Sequence, residues 1–383
     1  MMNRSIEIPS TFNLVIICIL SLFGILVVYS SIIGIPTVEA RYVFSKTWGG
    51  PGSGPGQFGY PTGIVIDSSY RVYVSDPGNN RIQLFRLANP CPAGTILIVT
   101  GICFVKSWGS FGTAVGQFNS PTHIALDASG RVYVADYGNH RIQMFKGNGN
   151  FMKTWDTDGP GTARFLQIVG IAIDVSTNDI YVVEYNGGGD VDLHIFRLAN
   201  QCPTGTTQVI PGICFIGKTN IGNTPSLSYR AYGAAIDSLT HRLFISMFES
   251  NGHEKYFISG LGGEEGSAIG EFHTPVGITV NPSGTVYVAD SGNNRIQKFQ
   301  LTNPCPAGTT QINPGIYFVT KWGSQGTGNA QFNYLFGVTV APSGRVYVTD
   351  SGNNRIQEFR WIDDVGGGGG GTEPGITANQ TSK

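Results

Sequence analysis

The side chains that first invite a chemical reading are five carboxylates at matching places of a repeated segment: Asp76, Asp136, Asp290 and Asp350, with Glu184 at the same place in another copy. Each ends an alternating apolar run such as Val72-Tyr73-Val74-Ser75, just before a turn. Carboxylates converging on one loop face supply the hard oxygen ligands that Ca²⁺ requires. The four aspartates are each followed, past a short turn, by an arginine: Arg81, Arg141, Arg295 and Arg355. Asp and Arg recur together and vanish together in the fourth copy. That pattern favours a structural reading, in which each Asp caps its own loop amides and pairs with the Arg of its own repeat. A catalytic site should break the repeat, and these residues keep it, so no residue is assigned a catalytic role.

Histidine is the other place to look, for zinc or for proton transfer. His123, His140, His194, His241, His253 and His273 occupy unlike positions of their repeats, and only His123, at the start of an apolar run, is placed to face a central axis. Asp76, Asp136, Glu184, Asp290, Asp350 and His123 are therefore weak candidates for Ca²⁺ or Zn²⁺, and no cofactor is expected. No Gly-x-Ser-x-Gly, His-Glu-x-x-His or phosphate loop is present. The glycine-rich stretches 49–56 and 187–189 read as turns.

The elements that must position these groups follow from internal repetition. FGYPTGIVIDSSYRVYVSDPGNNRIQLFR from Phe58 returns from Phe118, Phe272 and Phe332, and degenerate copies begin at Phe165 and Ser228, making six. Each copy reads as three strands: a short apolar one, an alternating second, and a third such as Arg81-Ile82-Gln83-Leu84-Phe85. A fourth follows at Lys106–Trp108, Lys153–Trp155 and Lys321–Trp322. Six four-stranded antiparallel repeats describe an all-β, six-bladed propeller. Lys46-Thr47-Trp48 precedes the first copy and no fourth strand follows the last, so the N-terminal strand is expected to complete the last blade and to hide two sheet edges.

Copies one, three and five carry an insert between strands three and four, which makes two blades the unit of duplication. In two of the inserts Cys91/Cys103 and Cys202/Cys214 share one spacing and are expected to be disulfides; Tyr317 replaces the second cysteine of the last, leaving Cys305 unpaired. A zinc site built on these cysteines would want Cys-x-x-Cys clusters or nearby histidines, which are absent.

Glycine (54 residues), tyrosine (16) and phenylalanine (22) abound while charged residues make up 13%, a mixture suited to short strands and tight turns. Lys+Arg 24 against Asp+Glu 25 leaves the chain near neutral, which speaks against nucleic acid as a partner. Residues 1–40 hold an apolar stretch from Phe12 to Ile35, preceded by Arg4, expected to be a signal peptide or a retained transmembrane anchor. Either would make the protein extracytoplasmic, secreted or membrane-anchored, consistent with disulfides. Residues 41–362 form the propeller. Residues 363–383, with six consecutive glycines, read as a flexible tail that ends near a glycosylation-type sequon at Asn379.

The repeats resemble the NHL family in their Pro-x-Gly-Ile start, Gly-x-Val-Tyr-Val-x-Asp middle and Gly-Asn-x-Arg-Ile-Gln-x-Phe end. The match is strong in four copies and weak in two. The resemblance implies a propeller and leaves function open, since its members include RNA-binding regulators, extracellular sensor domains, a peptide-amidating lyase and more distant lactonase-like and antibiotic-lyase propellers. The expectation is a monomeric binding scaffold whose loop face recognises a protein, peptide or glycan, with the membrane reached through the N-terminal segment. The alternative is a metal-dependent lyase or lactonase-type hydrolase with its site on the propeller axis.

Overall fold

In a computed structural model, the residues described are 41–362, except 158, 160–163, 187–189, 222–227, 251–253, 260 and 303–308. They form an all-β propeller of six antiparallel sheets. Each sheet is covered on both faces: Val72, Val74 and Phe85 on one and Tyr73 and Ile82 on the other are all fully buried, as blades packed face to face require, while Arg86, near the end of its strand, is exposed. The first strands are Ile64–Ile66, Pro121–Leu126, Gln167–Asp174, Ser228–Asp237, Pro275–Val280 and Leu335–Val340, and they line a central channel.

Closure takes the form expected. The strand Arg41–Gly49 pairs with Arg355–Ile362 in the sixth sheet, with Thr47 opposite Gln357. Tyr42 on this closing strand reaches blade five, where its hydroxyl bonds Tyr287 at 2.9 Å and its ring stacks on Trp322 at 4.3 Å. The ends of the described chain are thus fastened to each other and to the preceding blade.

A uniform four strands per blade does not hold. Blades two and six have four. Blades one, three and five have five, because each insert folds back and pairs its outer arm (Ile96–Val99, Thr207–Ile210, Thr310–Asn313) with its own fourth strand. Blade four has three among the described residues: after Glu254–Ser259 the chain turns between Ile258 and Gly262 into the connection to blade five. Gly262 stands where other blades carry the tryptophan of a fourth strand.

The inserts also explain the two-blade repeat. Each crosses to the preceding, shorter blade. Lys46 donates to the Thr100 carbonyl at 2.9 Å, Lys153 bonds the Pro211 carbonyl, and Asn313 donates to the Leu261 carbonyl at 2.7 Å. Cys91–Cys103 and Cys202–Cys214 are disulfides within two of these hairpins, with Cα separations of 5.6 and 5.4 Å. In the third insert Tyr317 is buried at the corresponding place.

Cys305, Asn379, His253, the segment 1–40 and the tail 363–383 lie outside the described residues. Among the described residues no helix is long and apolar enough to cross a membrane.

Candidate functional site: the loop face and its departures from the repeat

The four aspartates do not converge on one another. Each is fully buried and turned into its own blade. Asp76 Oδ1 accepts from the Gly59 amide at 2.7 Å and from Asn79 Nδ2 at 3.0 Å, and its Oδ2 accepts from Arg81 Nε at 2.8 Å and Gln83 Nε2 at 3.2 Å. Arg81 then spends its remaining donors on the carbonyls of Ser53, Gly54 and Gln57 in the entering loop. Asp136–Arg141, Asp290–Arg295 and Asp350–Arg355 repeat this brace, with Nε–Oδ2 distances of 2.7, 2.6 and 2.6 Å. A buried carboxylate needs such compensation to stay ionised. Its oxygens are occupied by the loop it holds, which leaves these four no geometry for a shared cation.

Blade three departs. Glu184 occupies the aspartate place and binds the equivalent loop amide, that of Leu166. Strand pairing then sets Glu184 opposite Asp192 and Val182 opposite His194, as Asp76 stands opposite Arg81 and Val74 opposite Gln83. Arg and Gln of the brace are thus replaced by Asp and His. Glu184, Asp192 and His194 are all buried, with ligand atoms within 4.8 Å of one another. His194 Nε2 lies 2.6 Å from Glu184 Oε2, Lys218 Nζ lies 2.9 Å from Asp192 Oδ2, and Asn220 Nδ2 donates to Asp192 Oδ1 at 3.2 Å. Among the described residues this is the one group of three His, Cys, Asp or Glu side chains able to hold a metal. It lies inside a blade and not on the axis.

On the axis, glycines set the width. A Cβ at Gly63, Gly233, Gly277 or Gly337 would come within 2.5 Å of the next blade's carbonyl, at Thr122, Val276, Phe336 or Thr62. Ser75, Ser246 and Thr349 donate to three of those same carbonyls, of Thr122, Val276 and Thr62, and lock neighbouring first strands together. In this ring the second blade carries His123 in place of glycine. Its imidazole lies in the channel, 5.4 Å from the Phe336 ring of blade six. Burial lowers its pKa to about 4, partly offset by a hydrogen bond to the Tyr232 backbone. Beyond the ring runs a cavity of about 180 Å³ walled by Ile64, Ile124, Ile171, Ala234, Ile278 and Val338. His123 is the one ionisable side chain among its lining residues.

At the loop face of blades one, two, five and six the residue three places before the ring position has a left-handed backbone: Tyr60 (φ 63°), Ser120 (φ 52°), Thr274 (φ 47°) and Tyr334 (φ 54°). Asn354 Oδ1 holds the Tyr60 amide at 2.7 Å, and Asn80 Oδ1 holds that of Ser120 at 2.9 Å. The backbone is therefore a property of the repeat, but bulky tyrosines at such φ are uncommon. Tyr60 and Tyr334 are 41% and 45% exposed with ring centroids 5.9 Å apart, an aromatic pair at the channel rim. Partial burial, and then the neighbouring Tyr334, push the Tyr60 phenol up to about 12. Sequence reading passed over both tyrosines, since repeat position alone does not reveal exposure.

Fold and brace define the class: a closed β-propeller whose loops are fastened by buried Asp–Arg pairs. Three of the repeats are NHL repeats, with the family model for "NHL repeat" matching residues 118–145, 272–299 and 332–359. The chain is similar to "NHL repeat-containing protein 3" of Mus musculus, 34% identical over 124 residues, covering 30% of this chain and 32% of that protein. It is also similar to "Peptidyl-glycine alpha-amidating monooxygenase" of Mus musculus, 26% identical over 263 residues, 65% of this chain and 24% of the relative. The chain thus spans a third or less of these relatives' length. Among solved structures, an auxiliary nutrient binding protein from Bacteroides thetaiotaomicron shares the fold, with TM-score 0.51 at 11% identity over 85% of this chain and 78% of that one.

Proposed function

We propose that the protein is an extracytoplasmic binding scaffold that receives an extended peptide segment of a partner protein on its loop face, across the channel rim. The exposed Tyr60–Tyr334 pair carries this reading. Tyrosine combines a large apolar face with a hydroxyl and is enriched where binding energy concentrates. Here two such rings sit on a rigid frame at positions where other blades carry Ser120 and Thr274. Leu166, 48% exposed, adds an apolar side chain on the loop side of blade three. The extracytoplasmic setting is supported by the two disulfides and by the apolar run in residues 1–40. An axial lyase or lactonase site would require several metal ligands at the channel, and among the described residues lining its cavity His123 is the single ligand type.

The test is binding of the purified full chain to an array of synthetic peptides. Saturable binding to a subset should weaken at least ~10-fold in a Tyr60→Ser/Tyr334→Thr variant, because loss of two aromatic anchors exceeds the 1.4 kcal/mol that a factor of ten represents. Equal binding by the variant would rule out the rim as the site.

A further inference from the structure

We propose that Glu184, Asp192 and His194 form a binding site for one zinc ion beneath the loops of blade three. This site is independent of the tyrosine rim and separate from the axis.

Charge carries the argument first. In four blades a fully buried aspartate faces an arginine, so the brace is neutral. In blade three the acid is kept as Glu184 while the arginine's place is taken by Asp192, so two buried carboxylates stand where an acid and a guanidinium stood. Like charges at this separation in a low-dielectric interior repel strongly. Lys218 offsets one of them from the side, with its side chain 42% exposed. A divalent cation between the acids would offset both.

The donor set carries it second. One imidazole and two carboxylates match zinc's preference for nitrogen and oxygen ligands, whereas Ca²⁺ and Mg²⁺ favour oxygen alone. Two donors on a tetrahedral zinc stand roughly 3.4 Å apart, given bonds of ~2.1 Å. The three donor atoms already lie within 4.8 Å of one another, and His194 Nε2 and Glu184 Oε2, now 2.6 Å apart, would part by less than roughly 1 Å to share an ion at such a separation.

The surroundings carry it third, because ligands hold a metal well when outer groups fix them. The Leu166 amide donates to Glu184 Oε1, and Asn220 donates to Asp192 Oδ1 at 3.2 Å. The His194 ring is held edge-on by Phe165 at 5.3 Å and parallel to Phe196 at 6.5 Å. The competing account is a metal-free network in which His194 bonds Glu184 and Lys218 bonds Asp192. The two accounts differ in whether the intact protein takes up metal.

The experiment is calorimetric titration of chelator-stripped, full-length protein with zinc chloride at neutral pH, in parallel with calcium chloride. One zinc per chain is expected. His194→Gln should weaken binding at least ~100-fold, with a near-ultraviolet circular dichroism spectrum like that of the parent. Should that variant fail to fold, Asp192→Asn, which keeps the side-chain shape, carries the same expectation. No zinc uptake, uptake unchanged in folded variants, or calcium displacing zinc at equal concentration would each overturn the proposal.

Discussion

Blades one and three place side chains on the same backbone lattice and do opposite things with them. In blade one, Asp76, Arg81 and Gln83 close a neutral network in which Arg81 gives Nε to Asp76 and its terminal amino groups to the loop carbonyls of Ser53, Gly54 and Gln57. In blade three, Glu184, Asp192 and His194 hold the equivalent strand positions and form an acidic cluster whose balancing charge comes from Lys218 at its edge. A repeated position whose chemistry is kept is accounted for by the stability of its own blade. One whose chemistry is inverted while its burial is kept calls for another explanation, and a ligand supplies it. The same distinction separates the glycines of the waist from His123, and Ser120 and Thr274 from Tyr60 and Tyr334.

The comparison breaks most visibly if a brace is removed. Arg295→Ala leaves Asp290 buried without its partner, and a loss of about 3–5 kcal/mol is expected from denaturant unfolding. A loss under 1 kcal/mol would mean the brace is not what holds the loop.

His123 sharpens it next. Its folded pKa of about 4 lies below the ordinary value near 6.5, so between those pH values the folded chain binds fewer protons here than the unfolded chain. Stability should therefore fall as pH drops through that window, by up to roughly 3 kcal/mol in all. His123→Gly, which restores the ring residue of the other blades, should remove that part of the pH dependence. An unchanged pH profile would contradict the placement of His123.

The hairpin clips give a smaller effect. Replacing Cys91 and Cys103 together by alanine should cost about 2–3 kcal/mol, from the 12-residue separation they close. Rebuilding the site with Cys103→Tyr and Cys91→Ala, in imitation of the third insert, should recover part of it. Smallest of all, Tyr60→Ser should change stability by no more than ~0.5 kcal/mol, because the ring is exposed at the surface.

Much of this was legible in the sequence. The repeated Gly-Asn-x-Arg-Ile-Gln run implied strands and turn together, the surplus Lys46–Trp48 implied closure in the last blade, and the constant Asp-to-Arg spacing implied pairing within each blade. The sites that break the pattern were harder to read for a definite reason. The extra residues between Glu184 and Asp192 destroy the linear spacing that marks Asp76 and Arg81, and only the strand register sets Asp192 in the arginine's place. His194 likewise looked misplaced by count and proves to stand where other blades carry glutamine. The missing fourth strand of blade four was hidden because loss of a tryptophan signals a gap without saying how the chain turns.

The most direct test of the inverted blade is guanidinium unfolding of two proteins, each with and without saturating zinc: the parent, and the variant Glu184→Asp/Asp192→Arg/His194→Gln, which restores the residue types of the brace. The account predicts that the parent is the less stable when metal-free and gains stability with zinc, as a ligand of the folded state must confer, while the variant is indifferent to the metal. A metal-free parent more stable than the variant, with no response to zinc in either, would contradict it.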